Sequence, residues 1–166
     1  MEDTVAADSN ATASHEGVSV TADSASGGRK IVALLVEDNR TDVLLVEEAI
    51  EQQGLPIELY IVDDGEKACE FLEQADREPA AVRPDVLVLD LNLPKRTGRE
   101  VLACLRRTSV CRDIPVLIVT SSDSSKERDE LMRLGVARYF RKPPSYDEFM
   151  KLGSVLQEVL DEYKLQ

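Results

Sequence analysis

The sequence predicts an α/β domain built on five parallel strands in the doubly wound order 2-1-3-4-5, with helices on both faces of the sheet. Three observations carry this. Short apolar runs with little polar alternation recur five times after residue 28, as expected of strands buried on both sides. Between successive runs lies a segment of helical periodicity or a helix-capping pair, so each crossover is a helix and the strands must run parallel. The length of 166 residues, 43% of them hydrophobic, is enough for one proper core plus some excess. For five strands, the order 2-1-3-4-5 is the commonest solution, and its crevice opens between strands one and three.

Residues 1–28 are mainly Ala, Ser, Thr, Asp and Glu, close on two glycines and contain no Lys or Arg. Such a segment buries too little apolar surface to offset chain entropy, and it is expected to be a disordered acidic tail preceding a domain over 29–166. Ile31–Val36 is the first strand. Asn39 caps a helix over Arg40–Gln53, with Asp42 in its first turn and Gly54 and Pro56 as its stop. Ile57–Val62 is the second strand, ending at Asp63-Asp64-Gly65. The helix that follows, over Glu66–Gln74, carries an apolar stripe of Ala68, Phe71, Leu72 and Ala75.

The third strand is the apolar run Val86–Leu89, with Leu91 continuing it past Asp90; Pro94 and Gly98 then break the chain. Thr97 and Glu100 form a capping box for a helix to Arg107. Ile114–Val119 is the fourth strand, and Ser124 with Glu127 caps a helix to Leu134, closed by Gly135. Val136–Phe140 is a short fifth strand. Ser145 with Glu148 caps a last helix to Tyr163, whose inner face is Phe149, Leu152, Leu156, Val159 and Leu160.

Composition excludes several classes. A net charge of −12 leaves no basic face for nucleic acid. No apolar run reaches the length of a membrane span and the first residues are acidic, without the positive start of a signal peptide, so a soluble cytosolic protein is expected. Cys69, Cys104 and Cys111 form no CxxC pair and have no neighbouring histidine, which disfavours zinc and leaves free thiols as the expectation. Neither GxxxxGK nor GxGxxG occurs, so nothing marks a nucleotide site.

The chemistry lies at the strand ends. Asp90 alone is an ordinary strand-ending turn former, and Glu37-Asp38 alone suits a helix N-terminus. The predicted topology sets these three carboxylates in one crevice, where like charges raise one another's pKa unless a cation intervenes. A few oxygen ligands at an open edge suit Mg²⁺, which keeps several waters and shares its shell with phosphate. A carboxylate attacking phosphorus needs a metal between the anions, a cation on the phosphoryl oxygens and a hydrogen-bond donor for the product. Mg²⁺ on Asp38 and Asp90, Lys142 after strand five and Thr120 after strand four supply those needs.

These motifs carry a resemblance. Leu35-Val36-Glu37-Asp38-Asn39, Leu87-Val88-Leu89-Asp90-Leu91-Asn92-Leu93-Pro94, Val119-Thr120-Ser121 and Tyr139-Phe140-Arg141-Lys142-Pro143, in this order over residues 29–164, resemble the receiver domain of two-component response regulators. The wording of Thr41–Ala49 and Gly98–Leu102 is similar, more narrowly, to the stand-alone regulators paired with phytochrome-type histidine kinases. The resemblance implies a flavodoxin-like fold with Asp90 as phosphoacceptor. It also implies Glu37 and Asp38 as the acidic metal pair, the first acting through water, and the Asn92 carbonyl as a further Mg²⁺ ligand. Thr120 is then the switch hydroxyl, Tyr139 the aromatic that turns with it and Lys142 the phosphoryl-binding lysine. A cis Lys142–Pro143 bond and a pairing of two copies on activation, through the last helix and the fourth strand–helix face, are implied as well. Pro144, a second proline, departs from the family pattern.

The function expected is that of a single-domain response regulator, not a turnover enzyme. A histidine kinase donates a phosphoryl group to Asp90 with Mg²⁺, and the product biases a surface of the fourth helix, fifth strand and last helix. A phosphohydrolase working through an aspartyl-phosphate is the enzyme alternative. It needs a general acid two residues after the nucleophile, where this chain has Asn92. An unphosphorylated scaffold is the other, and it has no use for Asp38, Asp90, Thr120 and Lys142 together.

Overall fold

Residues along the central strands point alternately into two apolar layers, one on each side of the sheet. Leu34, Val36, Leu87, Leu89 and Ile118 face one; Ala33, Leu35, Val86, Val88, Leu117 and Val119 face the other. This two-sided burial is why the strand sequences read as unbroken apolar runs. The computed structural model describes residues 17–21 and 28–165. In chain order the elements are β1 (Ser19–Thr21), β2 (Ile31–Val36), α1 (Arg40–Gln53), β3 (Ile57–Val62), α2 (Gly65–Arg77) and β4 (Val86–Leu89). Then follow α3 (Gly98–Arg107), β5 (Val116–Thr120), α4 (Ser125–Arg133), β6 (Arg138–Arg141), α5 (Tyr146–Met150) and α6 (Leu152–Glu162).

The sheet order is β1-β3-β2-β4-β5-β6, and the five strands from β2 onward are parallel in the expected doubly wound order. Helices α2 and α3 bury Leu72, Val101, Leu102 and Leu105 in the first layer, joined by Leu131 of α4. Val46, Ala49 and Ile50 of α1 meet Leu152, Leu156, Val159 and Leu160 of α6 in the second. Asn39 caps α1 by accepting from the amides of Thr41 and Asp42, and Thr97 with Glu100 forms the full capping box on α3.

Several expectations are corrected. Ser19–Thr21, assigned to the tail, pair antiparallel with Leu59–Ile61 as a sixth, edge strand, which covers the otherwise open rim of β3; residues 1–16 and 22–27 lie outside the described residues. The fourth strand begins at Val116 because Pro115 has no amide to give to a ladder. The last helix is two pieces: the Lys151 amide bonds back to Glu148 O at 3.2 Å, three residues away, which tightens the turn between α5 and α6. Ser145 makes no side-chain cap bond. The Ser124 side chain accepts from the Glu127 amide, one half of the expected box.

The cysteines also differ from expectation. Cys69 of α2 and Cys104 of α3 form a disulfide, with Cα atoms 5.7 Å apart, while Cys111 is a buried free thiol. The two partners are 35 residues apart in sequence and meet only because α2 and α3 pack side by side.

Gly65, the first residue of α2, ties that helix to the loop after Asp90. Its amide donates to Pro94 O at 3.2 Å, and a Cβ on it would lie 2.0 Å from Arg96 O. A backbone carbonyl has no rotamer by which to escape, so Gly65→Ala is expected to destabilise the fold by about 1–3 kcal/mol, as overpacking does. Urea unfolding of the two proteins measures it.

Candidate functional site

Parallel register brings the functional side chains to one edge. Val36 lies opposite Leu89, so Glu37 and Asp90 leave neighbouring strands at the same height, and the Asp90 amide donates to Val36 O at 3.1 Å. Thr120 ends β5 opposite Arg141 of β6, and the Lys142 amide donates to Thr120 O at 2.8 Å. Glu37, Asp38, Asp90, Thr120 and Lys142 therefore stand at the carboxyl ends of four adjacent strands, where doubly wound sheets bind ligands.

Asp90 is 5% exposed and its two oxygens have different surroundings. Oδ1 accepts from the amides of Leu91 at 2.7 Å and Asn92 at 3.4 Å. Oδ2 faces the Lys142 ammonium at 3.2 Å. Lys142 Nζ also donates to Glu37 Oε2 at 2.6 Å and to Asp42 Oδ2 at 2.8 Å. Burial opposes the charge on Lys142, but the hydrogen bonds to Asp42 and Glu37 outweigh it and hold the ammonium's pKa above its ordinary value. Glu37 is the strained partner: burial pushes its carboxyl up to about 7, with the charge of Asp90 adding, against the bonds from Lys142 and the Asn39 amide.

One ligand oxygen each from Glu37, Asp38 and Asp90 lies within 4.8 Å of the other two. Glu37 and Asp90 are buried and Asp38 is exposed, so the group opens to solvent on one side. Hard oxygen donors at that spacing, with a strongly proton-retaining member, fit a divalent cation that replaces the proton. Both Glu37 oxygens are already hydrogen-bonded, Oε1 to the Asn39 amide at 3.0 Å and Oε2 to Lys142.

Thr120 is wholly buried, and its Oγ1 accepts from the Ser122 amide at 3.3 Å. The half-buried Tyr139 donates its hydroxyl to Ser122 O at 3.2 Å, with the Arg128 guanidinium 5.7 Å above its ring. Thr120 and Tyr139 thus hold the same short turn, one by its amide and the other by its carbonyl. The Lys142–Pro143 bond is trans, not cis. Trans is intrinsically favoured by about 0.5–1 kcal/mol before proline, and Lys142 reaches Glu37, Asp42 and Asp90 from it.

Sequence reasoning missed one member, Asp42, read only as a first-turn helix acid. Its signal was its place three residues after the Asn39 cap, which puts it on the end of α1 beside the crevice.

Comparison with known proteins identifies the family. The response regulator Rcp1 of Synechocystis is 36% identical over 121 residues, which span 73% of this chain and 82% of Rcp1. The phosphorylated cyanobacterial phytochrome response regulator RcpA superposes with a TM-score of 0.70 at 33% identity, covering 78% of this chain and 93% of that one. The Mn²⁺-bound form of Rcp1 gives 0.69 at 34% identity, covering 77% and 92%. The response regulator receiver domain matches residues 33–152, with the strand-end carboxylates, threonine and lysine all inside the match, and the chain belongs to that family.

Proposed function

We propose that this chain accepts a phosphoryl group on Asp90 from a histidine kinase, in a Mg²⁺-dependent reaction, and thereby switches a protein-binding surface on α4, β6 and α5–α6. The observation that carries it is the asymmetry of Asp90. Backbone amides fix Oδ1, while Oδ2 turns to the crevice beside the buried Lys142 ammonium. Oδ2 is the nucleophile; as its bond to phosphorus forms, the bond from phosphorus to the donor breaks. Lys142 holds a phosphoryl oxygen, and the Thr120 hydroxyl donates to another.

Glu37, Asp38, Asp90 and the Asn92 carbonyl would hold the cation, which supplies charge neutralisation between the two anions. Once the Thr120 hydroxyl turns toward the phosphoryl group, the Ser122 amide loses its acceptor. Tyr139 holds the carbonyl of the same residue, so the change passes to β6. Two of the similar proteins are phytochrome-associated or bind a divalent metal by name, which supports a phytochrome-type kinase as donor and a divalent cofactor. We place the chain in the cytoplasm on the same reading; no helix among the described residues is long and apolar enough to cross a membrane.

The test is incubation with acetyl phosphate. With Mg²⁺ the intact mass should rise by one phosphoryl group per chain, and with EDTA it should not. Incorporation that ignores the metal, or none at all, sinks the reading.

A further inference from the structure

We propose that Asp42 is a positioning residue that tethers Lys142 to helix α1 and so weakens capture of a phosphoryl group at Asp90. The inference rests on Asp90 being the acceptor, as argued above. An ammonium has three N–H donors, and all three are engaged here by Glu37, Asp42 and Asp90. The two bonds at 2.6 and 2.8 Å go to Glu37 and Asp42; the one to Asp90, at 3.2 Å, is the longest. Lys142 is therefore held more closely by Glu37 and by Asp42 of α1 than by Asp90, the residue it has to serve.

The tether has a fixed base. The Asp42 amide is held by the Asn39 cap at 3.2 Å, so Asp42 can follow Lys142 only as far as its short side chain rotates. The lysine side chain is only 8% exposed, which leaves little water to replace a broken bond. Asp42 also differs from the other two partners. Glu37 and Asp90 belong to the carboxylate group that fits a cation, whereas Asp42 does not. A cation held there would weaken the pull of Glu37 and Asp90 on Lys142, and Asp42 would then be its strongest anion. A phosphoryl group on Asp90 carries its oxygens beyond the carboxylate, so reaching them requires Lys142 to release Asp42.

Beryllofluoride with Mg²⁺, followed by ¹⁹F NMR, reads this directly. Asp42→Asn should bind it about fivefold tighter than the parent, the scale of one charge-assisted hydrogen bond no longer competing. Asp42→Ser should do the same if Asn packs poorly, and Asp42→Glu, which restores the charge, should return affinity toward the parent. In a Lys142→Met background the Asp42→Asn gain should vanish, because Asp42 acts through the lysine. Equal or weaker binding by both uncharged variants overturns the tether, and so does a gain that persists without Lys142, which is a general charge effect. A parent chain that binds no beryllofluoride would instead overturn the assignment of Asp90.

Discussion

Asp90→Asn is expected to abolish phosphoryl incorporation from acetyl phosphate while leaving the protein folded. The amide oxygen of Asn can still accept from the Leu91 and Asn92 amides, as Asp90 Oδ1 does, so the turn after β4 keeps its anchor. What is lost is the second oxygen: a neutral NH₂ replaces Oδ2 and has no lone pair to attack phosphorus. The same change removes one of the three carboxylates grouped for a cation, so Mg²⁺ affinity should fall as well. Intact-mass measurement reads the first loss and titration calorimetry the second. Thr120 ends the neighbouring strand β5, and with Ser121 and Ser122 after it offers hydroxyls as rival acceptors. Hydroxylamine decides between them, because it cleaves an acyl phosphate and leaves a phosphate ester intact. Incorporation that survives both the substitution and hydroxylamine would move the site from Asp90 to one of those hydroxyls.

Lys142→Met should cost the metal-free protein about 3–5 kcal/mol, the usual penalty for deleting one member of a buried ion pair. Methionine fills much of the lysine's volume, so the loss is chiefly electrostatic: Glu37, Asp42 and Asp90 are left facing one another with no cation between them. The penalty should depend on pH. In the parent, burial raises Glu37 from 4.5 to about 7, so its contribution to stability is greatest below 4.5 and declines as pH rises through 7. Removing Lys142 takes away a hydrogen bond that lowers that pKa, and Glu37 shifts higher still. The gap between parent and variant should therefore be larger at about pH 8 than at about pH 5. Added Mg²⁺ should narrow it by supplying the missing positive charge. Urea unfolding in EDTA and in Mg²⁺ at the two pH values tests both statements; a gap that is flat in pH would mean that the carboxylates are not left unpaired.

The site was legible because its residues are polar exceptions at the ends of apolar runs. Glu37, Asp38, Asp90 and Thr120 each end or follow a strand, and topology alone was enough to bring them to one edge with Lys142. The parts that escaped were those with no local signal. Asp42 and Lys142 are 100 residues apart and meet only in the folded crevice. Cys69 and Cys104 were expected as free thiols, because nothing in their spacing showed that α2 and α3 stand shoulder to shoulder. Ser19–Thr21 is too short to show alternation, and its acidic, serine-rich flanks masked it; pairing with an already formed β3 edge makes it a strand. The prediction of five parallel strands held for β2 to β6; in β2, β4 and β5 burial on both faces leaves an apolar mark at almost every position, while the outer β3 and β6 are only partly buried.

The disulfide between Cys69 and Cys104 closes a covalent ring, and β4, Asp90 and the loop to Gly98 all lie on its circumference. Asp90 is thus carried on a loop of chain with no free end. A protease that cuts once anywhere between the two cysteines opens the ring but separates nothing: the two fragments stay joined through sulfur until a reductant is added. By the chain-entropy account, a closed loop of this length also removes about 3–4 kcal/mol worth of freedom from the unfolded chain. The segment that carries Asp90 is the one whose unfolded conformations this cross-link restricts.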